Sequence, residues 1–159
     1  MNLPKLFATV FITAAVALFS HNSMAQSVLD ENEVTAKRLS EIFEAAFMKP
    51  KIDEDGDILV DRGAVKIYVQ VNEDKKIITF ISMFGLSEGA SEYDQLKFFN
   101  KLNSDLILAR YQLMKGKLIV DYQMPYEGGL IPHAFMNSFN LFELVVRGTA
   151  IRDSDDLIK

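Results

Sequence analysis

The chain has 159 residues, of which 49% are apolar and 25% are charged, a composition typical of a folded globular protein. It contains no cysteine, which excludes disulfides, thiolate metal sites and thiol nucleophiles. The net charge of −5, with Lys and Arg scattered along the chain, argues against a nucleic-acid surface and against docking on anionic lipid.

The N-terminal segment Met1–Ala25 has the pattern of a secretory signal peptide. Lys5 precedes an apolar run over Leu6–Phe19, and small residues stand one and three positions before Gln26. A membrane-spanning helix needs roughly 20 apolar residues, so an uncleaved anchor is the less favoured alternative for this shorter run. We expect cleavage after Ala25, a location in the Gram-negative periplasm, and no stable membrane anchor after cleavage.

Residues 26–159 are enough for one domain and too few for two. We place the folded core of this single domain at about 30–151. The acidic C-terminal tail at 152–159 is expected to be frayed, because chain ends lose order unless something holds them.

The first element is predicted to be a helix over about 31–48. Asp30 and Glu33 form a capping-box pattern at its start. Pro50 is expected to end it, because proline disfavours the helical conformation of the preceding residue. The apolar residues at helical spacing are Leu39, Ile42, Phe43, Ala46 and Phe47.

Three strands are predicted next, after a turn at Asp55-Gly56. The first begins at Ile58 and ends before Gly63. The second alternates apolar and polar residues over 65–72, which is typical of an antiparallel strand with one buried face and one wet face. The third covers Ile77–Phe84 and is apolar on both faces, which predicts a central strand.

A second helix is predicted after the loop at 85–90, with Ser91 and Asp94 at its start and Asn103 at its end. Its expected apolar stripe consists of Tyr93, Leu96, Phe99 and Leu102. A hairpin follows, with strands at 107–114 and 118–124 and a turn at 115–116, and Pro125 with the pair Gly128-Gly129 ends it.

The last helix is predicted to begin at Pro132 and to end at Gly148. It has more apolar residues than a single stripe requires, which leaves two interpretations. The helix is buried on two sides, or part of its apolar surface binds another protein or a second copy of the chain. The candidate protein-interaction face consists of Phe135, Phe139, Phe142 and Val146.

The predicted element order is therefore α-β-β-β-α-β-β-α. Strands in antiparallel runs, separated by helices, are typical of the α+β class. We expect a single antiparallel sheet with the helices packed against it.

The carboxylate-rich segment Asp53–Asp57 resembles a calcium loop but does not fit the EF-hand pattern. With Gly56 at the sixth position, the first and twelfth positions are Lys51 and Arg62, where calcium needs carboxylates. We interpret the segment as a solvated turn, with a weak cation site as the alternative, and predict no metal site.

The remaining candidates for chemistry are isolated. His133 is the only histidine after the signal segment, and a surface or capping role fits it better than catalysis. Gly128-Gly129 precedes a helix, but Glu127 would repel a phosphate and no P-loop lysine follows. A hydrolase based on carboxylates alone stays a third hypothesis, since nothing singles out two of the acidic residues. We predict a non-enzyme with no catalytic residues and no cofactor.

The sequence resembles the YbjN family of bacterial proteins, which are described as candidate sensory-transduction regulators. The resemblance is carried by Phe98–Asn103, with its Asn-x-x-Asn at a helix end, by Ala109–Tyr111 in the following strand, by the turn at 115–116 and by Gly128-Gly129. It extends upstream through Asp55–Asp57 and covers about 30–151. The resemblance implies a fold similar to type III secretion chaperones, which often dimerise and bind extended segments of other proteins, and it implies no catalytic residues.

The chain departs from the family pattern in two ways. Many relatives carry Trp where this chain has Leu102, and some carry Cys, which this chain lacks. The signal segment also predicts a location outside the cytoplasm.

Taken together, these features predict an exported, non-catalytic protein-binding module with a regulatory or chaperone-like role, an unknown protein partner and a capacity to form a homodimer. The alternative is a periplasmic carrier of a small ligand, with a pocket between the sheet and the last helix.

Overall fold

The computed structural model describes residues 28–105 and 108–159. The predicted signal peptide lies outside these residues, as does the first residue of the strand predicted to start at 107. After a short 3₁₀ helix at Glu31–Glu33, the elements in chain order are α1 (Ala36–Ala45), β1 (Pro50–Ile52), β2 (Ile58–Asp61), β3 (Lys66–Asn72), β4 (Ile77–Gly85), α2 (Glu92–Asp105), β5 (Arg110–Met114), β6 (Lys117–Pro125) and α3 (Pro132–Arg152).

The six strands form one antiparallel sheet in the order β1-β2-β3-β4-β6-β5. The α+β prediction is confirmed, and β4 lies inside the sheet as its two apolar faces predicted. The strand β1 was not predicted. It is a three-residue edge strand that begins at Pro50, a position at which a missing N–H is tolerated.

The core lies on one face of the sheet. Side chains from alternate positions of β2, β3, β4 and β6 are buried there against α1 and α3. The ring of Phe80 on β4 lies 5.6 to 6.0 Å from the rings of Phe135, Phe139 and Phe142 on α3. The ring of Phe43 on α1 lies 4.7 Å from that of Phe139 in an edge-on arrangement.

This packing places the four residues of the candidate interaction face in the core. Phe135, Phe139, Phe142 and Val146 are all fully buried, so in this fold they are core residues and do not form an exposed interaction face. The same aromatic rings fill the space between the sheet and α3, where the small-ligand pocket was predicted. The exposed large apolar residues of α3 are Leu141, Leu144 and Ile151.

The first helix is shorter than predicted at both ends. Asp30 and Glu33 cap only the 3₁₀ helix, whereas α1 begins after Thr35, whose hydroxyl accepts a hydrogen bond from the N–H of Arg38 at 3.2 Å. The helix α1 ends because Phe47 adopts a left-handed conformation (φ 60°). The N–H of Met48 then donates a hydrogen bond to the carbonyl of Phe43. Phe47 was predicted to lie on the apolar stripe, but it is 97% exposed.

The second helix confirms the cap at Ser91, whose hydroxyl accepts from the N–H of Asp94. Two members of its predicted stripe, Tyr93 and Leu96, are exposed instead. Asn103 does not end the helix. Its side-chain amide binds both the N–H and the carbonyl of Tyr111 at 2.9 and 3.0 Å, and so it joins α2 to the edge strand β5.

The last helix continues through Gly148 to Arg152, one turn beyond the predicted end. A glycine inside a helix costs only about 1 kcal/mol relative to alanine, which the buried packing of α3 offsets. The carbonyl of Gly148 also accepts a hydrogen bond from the guanidinium of Arg152.

The C-terminal tail is ordered, so the expectation of fraying is wrong. Leu157 is buried, and the N–H and carbonyl of Lys159 pair with Gly85 at 2.9 and 3.2 Å. The Asp153 carboxylate accepts the backbone N–H groups of Leu157 and Ile158, which holds the tail in the conformation needed for this pairing.

The pair Gly128-Gly129 forms a backbone turn with positive φ at both residues. A Cβ at Gly129 would lie 2.7 Å from the carbonyl oxygen of Leu29, so only glycine allows this close approach. Leu29 and Leu130 exchange two backbone hydrogen bonds of 2.8 Å, and the N–H of Gly128 donates to the carboxylate of Glu31. Within the described ranges, no helix is long and apolar enough to cross a membrane.

The assignment of the α3 aromatics to the core can be tested by truncation. Phe139→Ala should lower the free energy of unfolding by about 3–5 kcal/mol, because it removes a buried ring and leaves a cavity. Leu144→Ala on the exposed side of the same helix should change it by less than about 0.5 kcal/mol. Urea unfolding followed by circular dichroism measures both, and similar values for the two variants would contradict the assignment.

Candidate functional site

The second face of the sheet is the candidate site. On this face the side chains of β3, β4, β6, β5 and the β1–β2 turn line a shallow groove of about 450 Å³ to which no described helix contributes. We call it the open-face groove. Its lining residues are Asp53, Asp55, Asp57, Tyr68, Gln70, Ile81, Met83, Arg110, Gln112, Met114, Ile119 and Asp121.

The floor of the groove is apolar and partly exposed. Tyr68 and Ile81 are direct cross-strand partners, and Met83 is the partner of Ile119 on the next strand. Met83 is 43% exposed and Met114, on the edge strand, is 49% exposed. Because methionine is unbranched and polarizable, these two side chains can fit apolar groups of different shapes.

A buried carboxylate is fully paired beside this floor. Asp121 is only 5% exposed and accepts hydrogen bonds from the Arg110 guanidinium at 2.8 and 3.1 Å and from the Gln112 amide at 2.8 Å. The hydrogen bond to Asp121 and the attraction of its charge raise the pKa of Arg110 above its ordinary value. The carboxylate is therefore a fixed structural partner of Arg110, with its acceptor sites directed at protein donors.

The turn between β1 and β2 gives one end of the groove its carboxylates. Asp53 accepts the backbone N–H groups of Asp55 and Asp57 at 3.1 and 2.9 Å, which fixes the turn. Asp57 accepts a hydrogen bond from the Gln70 amide at 2.5 Å. Among the described residues, no group of three or more His, Cys, Asp or Glu side chains has the geometry to hold a metal ion.

The other residues considered from the sequence lie elsewhere. His133 is exposed in the first turn of α3, away from the groove lining. The Glu143 carboxylate of α3 binds the guanidinium groups of Arg62 and Arg147 at 2.7 to 3.0 Å. Arg147 also donates to the carbonyl of Arg62, so this cluster fixes the β2–β3 loop to α3.

A second cavity, of about 410 Å³, lies where the C-terminal tail meets the start of β3 and the end of β4. Its lining includes the loop residues Gly63, Ala64 and Val65 and the carboxylates Asp153 and Asp156. Asp153 is already engaged in holding the tail. The open-face groove is the better candidate for binding, because it offers a continuous apolar floor across several strands.

The groove was missed in the sequence because its residues are spread over four strands and a turn. Two signals pointed toward it. The polar positions of β3 include Tyr68 and Gln70, and β4 is apolar on its second face as well as on the face that packs in the core. Apolar residues on both faces of a strand therefore have two consequences: they place the strand inside the sheet, and they predict an apolar, partly exposed surface wherever helices cover only one face.

Comparisons with known proteins agree with this architecture. The model of a family described as "T3SS (YopN, CesT) and YbjN peptide-binding chaperone 1" matches residues 30–151. The crystal structure of YbjN from E. coli, a candidate transcription regulator, is similar with a TM-score of 0.70 and 11% identity, over 84% of this chain and 99% of that one. The chaperone–effector complex of HopA1 and SchA contains a chain similar with a TM-score of 0.53 and 11% identity, over 69% of this chain and 88% of that one. No curated protein gives a significant match.

The pairing of Asp121 with Arg110 predicts that replacing Arg110 alone destabilises the fold more than replacing both residues together. Arg110→Ala should lower the free energy of unfolding by about 2 kcal/mol, because it leaves a buried carboxylate with one neutral donor. Adding Asp121→Leu to this variant should restore most of the loss, since the buried charge is then absent. Urea unfolding of the two single variants and the double variant gives the coupling, and strictly additive effects would contradict the pairing.

Proposed function

Since this chain belongs to the family of peptide-binding chaperones that includes type III secretion chaperones and YbjN, we propose that it is an exported, non-catalytic protein-binding module. Its open-face groove binds an extended segment of another protein and keeps that segment soluble, which is a chaperone-like role. In a regulatory role, the same groove would bind a segment of the regulated protein and make that segment inaccessible to other partners.

The observation that carries this proposal is the uncovered apolar face of the sheet. Soluble proteins seldom leave a contiguous apolar surface exposed unless it binds something. Here the helices are packed on the opposite face, and the groove floor of Tyr68, Ile81, Met83 and Ile119 is only partly covered. A segment in extended conformation presents alternate side chains to one side, which suits a flat floor of this kind.

The composition of the groove supports binding of segments that differ in sequence. Its floor contains two methionines, which adapt their shape, and its polar members Gln70 and Gln112 carry amides that both donate and accept hydrogen bonds. Tyr68 adds a rigid aromatic side chain that loses little conformational entropy on binding. These features favour contacts with many side-chain shapes and do not point to bond cleavage.

Binding through the groove can be tested on an array of peptides of about 12 residues, which is long enough to cross the groove when extended. We expect the purified protein to bind a subset of the array. The double variant Met83→Asp/Met114→Asp should weaken binding roughly tenfold or more, because two charged groups replace apolar contacts. The matched control, Leu141→Asp/Leu144→Asp on the exposed side of α3, should bind as the wild type does.

Two results would contradict this proposal. One is the absence of binding to any peptide of the array. The other is an equal loss of binding in the groove variant and in the α3 control. Sedimentation of the same variants also tests self-association. A dimer that dissociates only in the groove variant would indicate that the open-face groove binds a second copy of the chain.

The proposed export rests on the pattern of Met1–Ala25. When the chain is expressed with a C-terminal tag in a Gram-negative host and the cells are fractionated, we expect the tagged protein in the periplasm with Gln26 at its N-terminus. Replacing Ala25 by Pro should block cleavage, since it removes the small residue before the cut. Recovery of the wild-type chain uncleaved in the membrane or the cytoplasm would contradict export, and would leave the binding proposal to be judged by the peptide array.

A further inference from the structure

The carboxylates at one end of the open-face groove have no basic partner. Asp53, Asp55 and Asp57 line the groove, and Glu54 is exposed between them. Within the described residues none of these four side chains takes part in an ion pair. Their hydrogen bonds come from backbone N–H groups and from the neutral amide of Gln70, so the negative charge of the turn is not compensated.

Two exposed lysines lie on the same face, away from this turn. Strand alternation places Lys66 on the same face as Tyr68, and Lys117 on the same face as Ile119, and both lysines are exposed. The charge of Arg110, on the edge strand β5, is already compensated by Asp121. The face therefore has a net negative end at the β1–β2 turn, where four carboxylates outnumber the exposed Lys51, and an apolar middle. Lys66 lies opposite Asp61 of β2, and Lys117 lies beside the β5–β6 hairpin.

From this charge distribution we infer that the groove selects extended protein segments that carry a Lys or Arg side chain next to apolar residues. The basic side chain lies at the β1–β2 turn, between Asp53, Asp55 and Asp57, and the apolar residues cover Ile81, Met83 and Ile119. This inference rests on the proposed function, since it names the class of segment that the same groove binds.

The dimensions of the groove fit such a segment. From β2 to β5 the sheet has four strand spacings, which together span about 19 Å, the length of about six residues in extended conformation. A basic residue at one end of such a segment reaches the turn while its apolar neighbours lie over the middle strands. A basic residue at the other end would lie over β5, where Asp121 is already paired with Arg110 and the exposed Lys117 is close to the edge strand, which disfavours the reversed orientation.

The peptide array tests this inference separately from the proposed function. Among the peptides that the wild-type protein binds, we expect Lys and Arg to be enriched relative to the whole array, close to apolar residues. The variant Asp53→Asn/Asp55→Asn/Asp57→Asn keeps an acceptor oxygen for each turn hydrogen bond but removes the charge. It should retain binding to apolar peptides and lose the basic preference.

The matched control removes the same number of charges elsewhere, as Glu92→Gln/Asp155→Asn/Asp156→Asn, at exposed positions outside the groove lining. It should retain the basic preference. For one selected peptide, replacing its basic residue by Gln should weaken binding to the wild type roughly 5- to 30-fold at low salt. The replacement should have a much smaller effect on the turn variant and in high salt, where charges are screened.

The outcomes are distinguishable. Binding without basic enrichment, or an equal enrichment on the wild type and the turn variant, overturns this inference and leaves the proposed function standing. Enrichment that disappears in both triple variants also overturns it, because the preference then reflects net charge and not the turn. If no peptide binds, the proposed function fails, and this inference fails with it.

Discussion

The packing of Phe80 against three phenylalanines of α3 determines most of what this protein presents to solvent. It places α3 over the central strand, and Phe43 brings α1 to the same side. All of the large buried rings therefore lie on one face of a single sheet. With one layer of helices and no second layer in the described residues, the other face of the sheet stays in contact with solvent.

This arrangement separates stability from binding. The contacts that keep the chain folded lie between the sheet and the helices, whereas the groove floor makes few contacts that the fold requires. An exposed apolar floor is energetically unfavourable in water, and the compensation comes from the well-packed opposite face. The buried Asp121 is the exception, because it belongs to the groove side and still needs Arg110 and Gln112 to satisfy its charge.

The sequence predicted those elements whose evidence is local. Alternation identified β3, helical spacing and Pro132 identified α3, and Ser91 identified the start of α2. It could not identify β1, since a three-residue edge strand has no periodicity of its own. The ordered tail depends on pairing with Gly85, more than 70 residues earlier, and the groove depends on strand order. Both become visible only in the assembled sheet.

The same limit explains two wrong predictions, the end of α3 at Gly148 and the burial of Phe47. The low helix propensity of Gly148 predicts a helix end at this residue, but the buried side of α3 continues past it. Phe47 adopts a positive φ that glycine or asparagine adopts more easily, so the end of α1 is set by its hydrogen bonds and not by residue preference. At Gly148 the packing of α3 outweighs the preference of the residue, and at Phe47 the hydrogen bonds at the end of α1 outweigh it.

The pairing of Leu29 with Leu130 has a consequence for the order of folding. The two residues are about 100 positions apart and exchange both backbone hydrogen bonds, with Gly129 allowing the approach. A contact this distant in sequence closes late, because most of the intervening chain has to be in place first. The β1–β4 meander, whose strands pair with near neighbours in sequence, can therefore assemble early. The segment before α1 reaches its final position only after the chain has been completed through the start of α3.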